Sequence, residues 1–116
     1  MRVSLKGTNL QLLESTREYV DRKLVRAAEK LLVRDGDALS LEIEVGKTTK
    51  HHKTGPYFRA EANLSIGKTM LRAEALGETL NEAIDLVEGE LTREIKKFKE
   101  RRRSLMLKGA RSLKRR

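Results

Sequence analysis

Residues 58–75 read FRAEANLSIGKTMLRAEA. Phe58, Ala60, Ala62, Leu64 and Ile66 alternate with Arg59, Glu61, Asn63 and Ser65, the period of a strand with one dry face and one wet face. Gly67-Lys68-Thr69 is a tight turn, and Leu71, Ala73 and Ala75 then alternate with Arg72 and Glu74. The run is expected to be an antiparallel hairpin. Upstream, Leu39, Leu41, Ile43 and Val45 alternate with Ser40, Glu42 and Glu44, which predicts a second half-buried strand before the hairpin. Val3 and Leu5 alternate with Arg2, Ser4 and Lys6 in a short first strand, closed by the turn chemistry of Gly7-Thr8-Asn9.

The segments between and after the strands change period. From about Leu13 to Val33 the spacing is helical, with Val20, Leu24, Ala27/Ala28 and Leu31 on one stripe. Ser15 with Glu18 is a candidate capping box, although Leu12 and Leu13 point to an earlier start. Arg34-Asp35-Gly36-Asp37 reads as the helix stop. GKTTKHHKTGP, residues 46–56, is a basic loop bounded by Gly and Pro. After Gly77, Thr79 with Glu82 forms a second capping box. Leu80, Ile84, Val87, Leu91, Ile95 and Phe98 then fit a long amphipathic helix running to about Leu107, with Gly109 ending the pattern.

The predicted order is β-α-β-β-β-α. Three apolar surfaces are buried together if both helices lie on one face of a four-stranded sheet, a two-layer α+β sandwich. The other sheet face, carrying Glu42, Glu44, Arg59, Glu61, Arg72 and Glu74, is expected to be wet. The 116 residues fit one domain with a tail. The core must be aliphatic, because the only aromatic residues are Tyr19, Tyr57, Phe58 and Phe98. That scarcity argues against recognition by a row of stacked bases.

Charge is segregated. Lys96 to Arg116 holds eleven Lys/Arg and one acid, Glu100, in a chain of net charge +9. The remaining residues are close to neutral. A near-neutral body with a cationic end suits a polyanion such as nucleic acid, where each neutralised phosphate releases counterions. Arg, which forks onto phosphate oxygens, predominates in the tail. Candidate RNA-binding residues on the first helix are Arg22, Lys23, Arg26 and Lys30, opposite the apolar stripe. On the second helix they are Arg93, Lys96, Lys97 and Lys99, followed by Arg101, Arg102 and Arg103. Lys108, Arg111, Lys114, Arg115 and Arg116 complete the set. Glu18, Asp21, Glu29, Glu90 and Glu94 dilute the cations on the body, so the tail carries the stronger signal. Alternatives are a solubilising tail or a membrane-surface segment built on Leu105, Met106, Leu107 and Leu113, which lacks Trp and Phe anchors.

Other chemistries find little support. With no cysteine, disulfides and thiolate metal sites are excluded. His51 and His52 are adjacent, so on an extended chain they point opposite ways and suit one metal poorly. There is no HExxH, P-loop or Gly-rich dinucleotide turn, and Asp35/Asp37 and Glu88/Glu90 are ordinary surface spacings. No enzyme, cofactor or metal is expected. Nothing resembles a signal peptide or an eighteen-residue apolar span, so a cytoplasmic location is expected.

Several strings, in order, resemble one family. Gly7-Thr8-Asn9-Leu10 is similar to G-K-N-I, and Arg17-Glu18-Tyr19-Val20 with Arg22-Lys23-Leu24 is similar to R-E-Y-V-x-K-K-L. Lys68 to Ala75 resembles a strand ending in L-R-A-E-A. Ala83-Ile84-Asp85 and the run from Leu91 to Lys99 resemble A-I-D and L-x-R-Q-L-x-K-Y-K. These are patterns of the ribosome hibernation promoting factors, also called ribosome-associated inhibitor A or ribosomal subunit interface proteins, and the resemblance runs from residue 3 to about residue 100.

The resemblance implies a fold like that of double-stranded RNA-binding domains. It also implies binding to the small ribosomal subunit and its RNA, near the messenger channel and the tRNA sites, with translation inhibited and idle ribosomes stabilised. Lys23, Arg26, Arg93, Lys96 and Lys97 would be the RNA-facing residues. Glu90, Glu29 and the mid-helix Gly89 depart from the family pattern and shift the expected electrostatic work toward residues 96–116. The expected organisation is a ribosome-binding domain over 1–100 and a basic tail over 101–116. The chain is expected to be a monomer when free, without the ribosome-pairing domain of longer relatives, and to have no small-molecule substrate or membrane partner. A general RNA-binding module acting off the ribosome is the other reading.

Overall fold

The computed structural model describes residues 1–32, 38–48 and 57–114, the last five as backbone. The strands are β1 (Arg2–Thr8), β2 (Leu39–Lys47), β3 (Phe58–Ile66) and β4 (Thr69–Gly77). The first helical segment comprises α1 (Glu14–Val20), a π-helical stretch at Asp21–Val25 and α2 (Arg26–Leu31); the final helix is α3 (Leu80–Lys114). The sheet runs β1-β2-β3-β4. β1 is parallel to β2, and the other pairs are antiparallel. The chain is thus an open four-stranded mixed sheet with its helices on one face.

The alternation predicted for the strands sets the register. Leu41, Ile43 and Val45 lie opposite Leu64, Ala62 and Ala60, which lie opposite Leu71, Ala73 and Ala75. These rows face Val20, Leu24, Val25, Ala28 and Leu32 from the first helical segment, and Ala83, Ile84, Val87, Leu91 and Ile95 from α3, in one core. The alanines of β3 and β4 leave room for α3 to lie close over the hairpin. No polar or charged side chain is buried among the described residues.

Two glycines position the hairpin and the final helix. Gly67 has φ 58°, the left-handed conformation that a two-residue hairpin loop with glycine first requires. At Gly77 an added Cβ would stand 2.7 Å from the Ala83 nitrogen, so the strand turns tightly into α3. There Thr79 Oγ1 accepts a hydrogen bond from the Glu82 N–H at 3.0 Å, half of the predicted capping box.

The structure corrects several sequence expectations. The first helix starts at Glu14 with Leu13 as N-cap and no side-chain cap, so Ser15 and Glu18 make no box there. Its core stripe keeps Val20, Leu24 and Ala28 but does not run on to Leu31. The π-helical stretch widens one turn and advances the stripe by a residue, so Val25 (6% exposed) and Leu32 (4%) are buried and Leu31 is only half-buried. Gly109 does not end α3, and nothing lies within 4 Å of where its Cβ would be. With no packing demand at that position, glycine's cost of about 1 kcal/mol does not stop a helix of 35 residues. The predicted turn Arg34–Asp37 and the pair His51–His52 lie outside the described residues.

Candidate nucleic-acid interface

The helical layer carries the candidate cations in two groups. On the first helical segment, Arg22, Arg26 and Lys30 are exposed, and Lys23 is half-buried. Tyr19 organises this group. Its ring lies under the Arg22 guanidinium at 5.3 Å and the Lys23 ammonium at 5.8 Å. Its hydroxyl donates to Asp85 Oδ1 at 2.5 Å, which ties α1 to α3. That hydrogen bond, then burial and the Asp85 charge, raise the Tyr19 pKa above its ordinary value. Lys23 lies 3.7 Å from Asp85 and 3.9 Å from Glu88, and Arg26 lies 3.7 Å from Asp21. Lys23 is therefore held at the seam between the helices, whereas Arg22 and Lys30 project outward.

On α3, Arg93, Lys96 and Lys97 are exposed, and Lys97 lies 3.7 Å from Glu94. Lys99 has a different job. Its ammonium donates to the Leu31 carbonyl at 2.8 Å, satisfying an orphan acceptor at the end of α2 where a cation also favours the helix dipole. Beyond Phe98 every described side chain to Gly109 is exposed. Arg101, Arg102, Arg103 and Lys108 stand on this stretch, and Arg102 covers the Phe98 ring at 5.0 Å. Arg111 and Lys114 continue the same helix as backbone; Arg115 and Arg116 lie outside the described residues. The structure thus joins two cationic patches on the helical layer to one cationic rod.

The wet sheet face differs in its electrostatics. Arg59 reaches Glu61 at 2.9 Å and Glu74 at 3.0 Å, and Arg72 reaches Glu61 at 3.0 Å and Glu74 at 3.3 Å. The Arg59 hydrogen bond holds the Glu74 pKa below its ordinary value. Arg59, Glu61, Arg72 and Glu74 thus match one another's charge, whereas α3 carries no acid after Glu100. Among the described residues no group of His, Cys, Asp or Glu suits a metal ion, and no helix is long and apolar enough to cross a membrane.

Sequence reasoning missed Tyr19 as an organiser and Lys99 as a structural contact. Tyr19 and Asp85 are 66 positions apart, and Lys99 and Leu31 are 68 apart, so neither link shows in local spacing.

Residues 3–103 match the family model described as Sigma 54 modulation protein / S30EA ribosomal protein. A ribosome hibernation promotion factor from Picosynechococcus sp. is 29% identical over 101 residues, covering 87% of this chain and 50% of the relative. The chain therefore spans about half the length of that curated relative. Among solved structures, the Thermus thermophilus Protein Y N-terminal domain matches with a TM-score of 0.66 and 23% identity, covering 84% of this chain and 99% of that one. A ribosomal subunit interface protein from Coxiella burnetii matches with a TM-score of 0.70 and 19% identity, covering 86% and 99%. The structural matches establish the likeness of the fold, and the match across residues 3–103 places the chain in the Sigma 54 modulation protein / S30EA ribosomal protein family.

Proposed function

We propose that this chain is a non-enzymatic ribosome-binding factor that docks its helical face on small-subunit RNA and lays the α3 rod along phosphates of the decoding region and messenger channel. Occupying that channel excludes substrates sterically, inhibits translation and stabilises idle ribosomes without bond chemistry. The observation that carries the reading is α3 beyond Phe98, where exposed Arg101, Arg103 and Lys108 stand on a helix with no acid after Glu100. Family membership supplies the ribosome as the polyanion. A cytoplasmic location accords with this partner.

Co-sedimentation tests the reading. The protein is expected to travel with small subunits and whole ribosomes at low salt and to be released as salt rises. Protein remaining at the top of the gradient at low salt would sink it. Displacement from ribosomes by an equal mass of plain duplex RNA would instead favour generic RNA binding.

A further inference from the structure

β4 is nine residues long, pairs with β3 on one side, and has no strand on its other side among the described residues. Exposed sheet edges template further pairing unless something discourages it. On the wet face β4 presents Met70 (61% exposed), Arg72, Glu74 and Leu76 (47%) in that order. Read backwards, this series is its own complement: apolar meets apolar and plus meets minus. We propose that β4 is a homodimerisation edge, on which a second copy of this chain adds its own β4 antiparallel about a two-fold axis at Ala73.

Backbone parity supports the register. Gly67 and Lys68 form a two-residue loop, so Ile66 and Thr69 close it as a hydrogen-bonded pair, and Leu71, Ala73 and Ala75 also direct their backbone groups to β3. The N–H and C=O groups of Met70, Arg72, Glu74 and Leu76 then face the open edge. Three central registers place these outward groups opposite one another. One sets Arg72 against Arg72 of the other copy and another sets Glu74 against Glu74, both repulsive. The register centred on Ala73 sets Arg72 against Glu74 twice and Met70 against Leu76 twice. Each of those pairs exchanges two backbone hydrogen bonds. Charges on an edge strand discourage most partners; here they carry both signs, in the one order that pairs them with a second copy.

The rest of the fold accommodates the arrangement. Glu74 faces Glu61 across the sheet and already pairs with Arg59 and Arg72 of its own chain, so Arg72 of the other copy would add to an existing network of opposite charges on its open side. α3 packs over β3 and β4. Leu86 on α3 is 49% exposed, and Glu90, Arg93 and Lys97 share its side of the helix, away from α1.

Because the chain has no cysteine, single thiols report the register. A mixture of Met70→Cys and Leu76→Cys proteins treated with a short dimaleimide is expected to form a cross-linked heterodimer. Met70→Cys alone is expected to cross-link poorly, since its two copies would stand about 20 Å apart along the strands. Sedimentation equilibrium at high concentration is expected to show twice the 13.2 kDa of one chain. Arg72→Glu should weaken dimerisation about ten-fold, and adding Glu74→Arg should restore it to within a few-fold. A single-chain mass at every concentration overturns the inference. So does Met70→Cys cross-linking with itself as fast as the mixture, or an Arg72→Glu protein that dimerises normally. Circular dichroism checks each variant's fold, and the cross-linking pattern still reads the register if a charge variant unfolds. None of these readouts involves ribosomes, so failure here leaves the ribosome-binding proposal standing.

Discussion

Two glycines, Gly77 and Gly89, show how differently one residue type is used. A Cβ on Gly77 would meet the Ala83 nitrogen at 2.7 Å and the Thr79 carbonyl oxygen at 3.0 Å, both backbone atoms that cannot swing aside. Gly77→Ala should therefore push the start of α3 off the sheet and cost about 1–3 kcal/mol. A Cβ on Gly89 would have the flexible Arg93 Nη1 at 3.8 Å as its nearest neighbour. Gly89→Ala should instead stabilise by up to about 1 kcal/mol, the difference in helix propensity. Urea unfolding of the two variants checks both signs. Tyr19 adds a pH dependence. Because Asp85 raises its pKa above 10.0, the folded state holds the phenol proton more tightly than the unfolded chain does. This contribution is whole below pH 10.0 and is lost as pH climbs through the raised value. Tyr19→Phe should be less stable than the parent at pH 8, with the gap narrowing above pH 10.0, read from urea midpoints at the two values.

The first helical segment shows what local patterning reveals and where it stops. Strand alternation at 39–45 and 58–75 was legible because period two has no freedom to drift: each residue is on one face or the other. The same holds for α3, whose stripe from Leu80 to Phe98 follows ordinary helical spacing. The first segment is different, because the π-helical stretch at Asp21–Val25 inserts a residue into one turn. A regular wheel then places Leu31 inward, although it is Leu32 that is 4% exposed in the core. Nothing local marks the insertion; α3 and the sheet select it by burying Val25 with Leu24. Leu32→Ala should accordingly cost about 2–5 kcal/mol, and Leu31→Ala clearly less. Thermal or urea unfolding of the pair decides between the two registers, since a regular helix would reverse the order.

For the whole molecule, the charge split visible in composition becomes a shape. α3 has 35 residues and so runs about 52 Å at 1.5 Å per residue, consistent with a longest molecular dimension of 64 Å. Its apolar stripe is covered only as far as Phe98, the end of the core cluster. From there to Gly109 the helix is exposed on every side, with Leu105, Met106 and Leu107 at 64%, 71% and 51%. The segregated charge and the helix as far as about Leu107 were legible in sequence, but its continuation through Gly109 to Lys114 was not, because Gly109 reads as a stop whenever the neighbours that might require one are unknown. Deleting residues 101–116 separates the stability of the folded body from the phosphate contacts proposed for the rod. The thermal midpoint should move by only a few degrees, since none of the side chains described at 101–109 is buried. The slope of log ribosome affinity against log salt should flatten by several units, because each phosphate contact contributes about 0.7–0.9 to it. Both slopes come from co-sedimentation at a series of salt concentrations. A truncated protein that melts normally and keeps the full slope would assign the phosphate contacts to Arg22, Lys30, Arg93 and Lys96 on the body, and leave the rod without a role on RNA.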